Sequence, residues 1–274
     1  MSYSFKSLIL RVRVMNHYLK LLLPALVTAV ILLSAGCRGP VEVADGSDRA
    51  AIVDQLYILE PGPAFISEAT RLLESCGFEV DLWQGSDITV DFYRKLPSLD
   101  YQFIIFRVHS GILLSLEEEG VKPLPTTYLF TAENYTTARY VTEQLTDKVS
   151  NALMVDDFPL VFAVNSDFIK DTKGKFDSTV ILAMGCESYC YDDMPSTFID
   201  KGASAYLGWS HVVSLKYVDE VTLDLLRNLC TGNMTLAQSI DRTMADCGSD
   251  PYFESFLKYY PVESGDKTVR ELIR

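Results

Sequence analysis

Short apolar runs that stop at a polar or small residue alternate along this chain with stretches of helical period. Gln55-Leu-Tyr-Ile-Leu-Glu60 reads as a strand, and Pro61-Gly-Pro63 opens a helix over Ala64–Cys76. Gly77 supplies its C-terminal stop. Phe78–Trp83 reads as a second strand and Asp87–Leu96 as a short helix ended by Pro97. Tyr101-Gln-Phe-Ile-Ile-Phe-Arg-Val then carries the chain to His109-Ser110-Gly111. Strand, helix, strand, helix, strand within so short a span predicts a right-handed parallel sheet with helices on both faces.

Residues 112–175 are less regular. Strands are expected at Thr127–Thr131 and Leu160–Val164, with a helix inside Tyr135–Asn151. We read the stretch as an excursion with antiparallel elements that returns to the sheet through Val180–Met184. Alternation then resumes: helix Met194–Lys201 closed by Gly202, strand Ala203–Trp209, helix Tyr217–Leu229, and helix Thr235–Cys247 with Thr235 as N-cap. No internal repeat and no low-complexity linker follows residue 50. The fold class expected is α/β, a three-layer αβα sandwich with a mostly parallel sheet and an inserted antiparallel excursion, forming one domain over 51–274.

The N-terminal stretch has another character. Lys20 precedes an apolar run from Leu21 to Leu33, followed by Leu33-Ser-Ala-Gly-Cys37. A basic flank, a short apolar core and small residues before a cleavage point describe a secretory signal. The last five residues resemble the lipobox of prokaryotic lipoproteins, in which the cysteine is lipidated. The assignment is a signal with lipobox at 1–37, Cys37 as the lipidation site, and a flexible tether at 38–50. An uncleaved membrane anchor is the alternative, and Met15 is an alternative start. Either way the domain is expected outside the cytoplasm, anchored to the cell membrane.

Charge narrows the partners. The 274 residues carry 24 basic and 37 acidic side chains. Residues 1–36 hold four of the basic ones and no acidic one, which leaves 20 against 37, or −17, for the rest. Such a balance argues against nucleic acid. Beyond Cys37 the cysteines are Cys76, Cys186, Cys190, Cys230 and Cys247. This odd number leaves at least one thiol unpaired. Cys76 and Cys230, at apolar helical positions, read as core. No cluster has metal-ligand spacing, so no metal and no organic cofactor is expected. Only His109 and His211 are available for imidazole chemistry within the domain.

Both His109 and Cys186 follow an apolar run, Cys186 after Ser178-Thr-Val-Ile-Leu-Ala-Met-Gly185. Ligands of open parallel sheets sit at the carboxyl ends of the strands. On adjacent strands, the imidazole and thiol would meet there as base and nucleophile. A helix expected soon after Cys186 would favour the thiolate.

The strand-His-Ser-Gly and strand-Gly-Cys segments resemble the caspase-like cysteine peptidases, a clan that includes caspases, gingipains, clostripain, separase and CHAT domains. Ser178–Gly208 is especially similar to CHAT and gingipain sequences. The resemblance implies a caspase-like sandwich, with His109 as acid/base and Cys186 as nucleophile. It also implies an oxyanion site at the backbone of Ser110, Gly111 and Gly185. Ser110 stands where the clan usually has glycine, and Gly185 where it often has alanine.

Around the pair, Glu187, Asp192 and Asp193 are candidates to receive a cationic substrate side chain, or else form a solvated acidic loop. Trp209 and Ser210 are candidates for the substrate wall, Trp209 equally for the core. Cys190 allows a disulfide to Cys186. The expected function is a membrane-anchored, extracytoplasmic cysteine endopeptidase acting on a peptide or protein substrate. The alternatives are a non-catalytic caspase-like or flavodoxin-like lipoprotein that binds a peptide or protein partner, and a thiol redox role.

Overall fold

The computed structural model describes residues 48–112, 126–230 and 233–274. The leader, Cys37 and most of the tether lie outside the described residues. In chain order the elements are β1 (Arg49–Asp54), a 3-10 turn (Gln55–Ile58), α1 (Pro63–Ser75), β2 (Glu79–Gln84), α2 (Val90–Lys95), β3 (Phe103–Arg107) and β4 (Ser110–Ile112). They continue with β5 (Thr127–Asn134), α3 (Val141–Leu145), β6 (Val149–Ala152), β7 (Val161–Asn165), α4 (Ser166–Asp171), β8 (Thr179–Ala183) and α5 (Asp193–Asp200). The last group is β9 (Ala203–Trp209), α6 (Leu215–Cys230), α7 (Leu236–Cys247), β10 (Leu257–Tyr260) and α8 (Val269–Leu272).

The central sheet has the order β10-β9-β8-β3-β1-β2, parallel throughout except for β10 on β9. Its interior strands β1, β3 and β8 are buried on both faces, so they read as continuous apolar runs rather than as alternation. Alternate residues serve two separate cores. Ala50, Ile52, Phe103, Ile105, Val180 and Leu182 pack beneath α1, α6, α7 and α8. Ala51, Val53, Ile104, Phe106, Ile181 and Ala183 pack against α2, α4, α5 and part of a second sheet. The protein is therefore mixed α/β, with a mostly parallel sheet between two layers. The excursion forms the second sheet, β4-β5-β7-β6, antiparallel at every pairing.

The first strand expected from sequence is displaced. It lies at Arg49–Asp54, partly inside the range assigned to the tether, and Gln55–Ile58 is a 3-10 turn. The reason is burial from both sides: Ala50–Val53 are wholly enclosed, whereas Tyr57 and Ile58 are exposed. The bulky run Leu-Tyr-Ile-Leu is the stronger β signal, but small Ala-Ala fits between helices on both faces.

A second correction concerns cysteine. Cys76, just past α1, and Cys230, the last residue of α6, form a disulfide with Cα atoms 5.2 Å apart. The bridge ties two helices that pack side by side on one face of the sheet. Apolar spacing placed both cysteines on buried helix faces but carried no sign that the faces meet. Cys186, Cys190 and Cys247 are free thiols. No helix among the described residues is long and apolar enough to cross a membrane.

Candidate functional site

The β3–β8 ladder ends with Phe106 opposite Ala183. His109 lies three residues beyond Phe106, and Cys186 three beyond Ala183. Equal overshoot from adjacent parallel strands delivers both to the same stretch of the sheet's carboxyl edge. The loops also bond directly: Ser110 Oγ donates to the Cys186 carbonyl at 2.6 Å. Gly185 is required by this approach, since a Cβ there would run into Ser110 Oγ and the Val108 carbonyl.

His109 is half-buried. Its backbone N–H donates to Gln55 Oε1 at 2.9 Å, its carbonyl accepts from Phe130 N–H, and its ring lies 6.0 Å from that of Phe130. Burial, and then the nearby Arg107 guanidinium, push its pKa down to about 4. The imidazole is therefore neutral at neutral pH, the state a general base needs.

Cys186 is half-buried, and its sulfur is held by one peptide group. Val213 N–H donates to Sγ at 3.5 Å, and the thiol is at the same distance from the Val213 carbonyl. No hydrogen bond joins it to His109 among the described residues. Burial raises the thiol pKa, and the Val213 bond opposes that rise. The helix expected to help does not: α5 starts only at Asp193, seven residues further on. Cys186 and Cys190 are not bridged.

The flanking candidates divide. Glu187 adopts φ +54°, a left-handed conformation uncommon outside glycine. It donates its N–H to the His211 carbonyl, and Oε2 accepts from Ile112 N–H at 3.3 Å. Burial raises its carboxyl pKa. Asp192 is exposed. Asp193 is engaged structurally, accepting from Thr127 N–H and Oγ1 at 2.9 and 3.0 Å and so fixing α5 to β5. Trp209 is 1% exposed and belongs to the core. Ser210 exchanges two hydrogen bonds with the Phe256 backbone, which aligns the chain entering β10. Gly111 sits in β4 opposite Tyr128.

Sequence reasoning missed several supporting residues. Gln55 fixes the His109 backbone, and Val213 and Asp250 lie around the sulfur. Arg107 is 1% exposed and pairs with Asp54 at 2.7 Å and, through two bonds of 3.0 Å, with Asp219. A lone arginine inside Phe-Ile-Ile-Phe-Arg-Val-His was a readable signal, because arginine is seldom fully buried unless paired. A cleft of about 430 Å³ lined by Tyr57, Gly62, Ile66, Leu82 and Gln84 opens at the end of β2. Neither His109 nor Cys186 lines it. Among the described residues no group of acidic, histidine or cysteine side chains has the arrangement of a metal site. No family model and no curated protein matches the chain.

Proposed function

We propose that this protein is a cysteine peptidase of caspase-like fold, tethered to a membrane outside the cytoplasm, with Cys186 as nucleophile and His109 as acid/base. The observation that carries the reading is the matched overshoot of His109 and Cys186 beyond Phe106 and Ala183 on adjacent parallel strands. A central sheet with one antiparallel edge strand supports the caspase-like part. The Cys76–Cys230 disulfide supports an oxidising compartment.

In this reading neutral His109 takes the Cys186 proton as sulfur attacks the scissile carbonyl carbon. The tetrahedral intermediate collapses to a thioester while His109 passes the proton to the leaving amine. Water, deprotonated by His109, then releases the acid and restores the thiol. Backbone N–H groups of the Ser110–Gly111 and Gly185–Cys186 loops are the candidate oxyanion donors. Asp192 is the exposed one of the three acidic candidates for a cationic substrate group, whereas Glu187 Oε2 accepts from Ile112 N–H. Asp193 is engaged by Thr127.

One observation favours a second reading, a binding module of the same fold: the thiol is bonded to Val213 rather than to His109. A peptide library assayed for amide hydrolysis decides between them. The peptidase reading expects cleavage by wild type, loss in Cys186→Ala and in His109→Ala, and labelling of Cys186 by a peptidyl electrophile. Peptide binding without cleavage, retained in both variants, would replace it with the second.

A further inference from the structure

Asp250 lies in the segment between α7 and β10, far in sequence from either strand-end loop. It is 1% exposed, yet its carboxylate has all the donors it needs. Oδ2 accepts from Ser214 N–H at 2.8 Å and from Ser214 Oγ at 2.7 Å. Oδ1 accepts from Tyr252 N–H at 2.8 Å and Phe253 N–H at 2.9 Å. Ser214 directly follows Val213, whose N–H and carbonyl both meet Cys186 Sγ. A buried carboxylate with four donors is a rigid fixture, because losing any one bond exposes a charge that water cannot reach. We propose that Asp250 is the positioning residue of the Cys186 thiol, pinning Ser214 and with it the Val213 peptide that hydrogen-bonds the sulfur.

This inference rests on the reading of Cys186 as the working thiol, but not on peptide cleavage. The charged groups that act on the sulfur are Glu187 on its own loop and Asp250 itself, while His109 and His211 stand on the neighbouring loops, joined to this one through Ser110 Oγ and the His211 carbonyl. Two effects of Asp250 oppose each other. Its negative charge disfavours a nearby thiolate, while the N–H it positions stabilises one. The Val213 hydrogen bond is the larger influence of the two. Removing the charge while loosening Val213 therefore makes the thiol less ionised if Asp250 acts by positioning, and more ionised if it acts only as a charge.

The test uses full-length protein carrying Cys190→Ser and Cys247→Ser, so that Cys186 is the free thiol of the domain. Its alkylation by iodoacetamide is followed by mass from neutral to alkaline pH. Asp250→Asn is expected to slow alkylation at neutral pH by roughly tenfold and to move the profile to higher pH. Ser214→Ala keeps the carboxylate and is expected to shift it the same way, by roughly threefold. An unmoved profile, or one displaced to lower pH, overturns the proposal. Should Asp250→Asn not fold, Ser214→Ala decides alone. A wild type that cleaves no peptide, but whose thiol still responds in this manner, removes the peptidase and leaves the positioning role standing.

Discussion

The hydroxyl of Ser110 donates to the carbonyl of Cys186 at 2.6 Å, so the residue after one candidate catalytic group holds the backbone of the other. Neither loop reaches this geometry alone. β3 and β8 deliver the two chains at matched height, and Gly185 lets them touch.

Gly185→Ala tests that contact. Its Cβ would lie 2.9 Å from Ser110 Cβ and 2.5 Å from the Val108 carbonyl, so the loops must separate. Overpacking of this kind costs about 1–3 kcal/mol. Urea unfolding should show a lowered midpoint, and Ser110→Ala in the same chain should restore only part of it, since the Val108 carbonyl remains. A midpoint equal to wild type would mean the loops are not in contact.

His109 makes stability depend on pH. Folded, its pKa is about 4; unfolded, it returns to 6.5. Between those values the unfolded chain binds a proton that the folded chain refuses. This contribution is therefore complete above pH 6.5 and lost as pH falls toward 4. The loss reaches up to about 3 kcal/mol. Glu187, raised by burial, works in the opposite sense, so the quantity to compare is wild type against His109→Gln. Urea unfolding at about pH 7 and about pH 4.5 should show a smaller loss on acidification in the variant. Equal losses would contradict the buried neutral imidazole.

Much of this architecture was readable because parallel strands and their helices are local patterns. β9 spans Ala203–Trp209 as the run predicts, and Thr235 caps α7 with a full capping box to Gln238. The two strand-end residues were readable for the same reason. What escaped was set by partners distant in sequence. Ala-Ala-Ile-Val is a strand because α1 and α2 cover it. Cys76 and Cys230, 154 residues apart in sequence, pair because α1 and α6 lie together. Asp250 matters through Ser214, and a single polar residue in a turn gives no warning of that. Short elements such as β4, β6 and α4 owe their form to the second sheet and went unread.

The Cys76–Cys230 bridge closes a long loop, and its chief effect is to restrict the unfolded chain. Cys76→Ser with Cys230→Ser should lower stability by about 2–4 kcal/mol, and reductant should do the same to wild type. Alkylation followed by mass would find one bridge and three free thiols in the described domain. A wild type whose unfolding midpoint ignores reductant would show that the pair is reduced or carries no load.

Arg107 offers the sharpest separation between charge and packing near the site. Its guanidinium lies between Asp54, which is fully enclosed, and Asp219, which is partly so. It also donates to the Glu60 carbonyl and passes so close to Gly62 that a Cβ there would touch Nη2 at 2.8 Å. The cation thus joins the ends of β1 and β3 to the turn before α1 and to α6. Arg107→Met keeps length and apolar volume but leaves Asp54 buried without its counter-ion, which costs about 3–5 kcal/mol. Asp54→Asn added to Arg107→Met removes the stranded charge and should recover a large part of that loss. The same double variant lifts the positive charge that helps keep the His109 imidazole neutral, so the His109 pKa should rise in it. Calorimetric or urea stabilities measure the first effect, and the pH dependence of the imidazole NMR resonances measures the second. Recovery of stability without movement of the imidazole titration would confine Arg107 to the scaffold. Movement of both would show that the sheet's buried charge adds to burial in keeping the candidate base neutral.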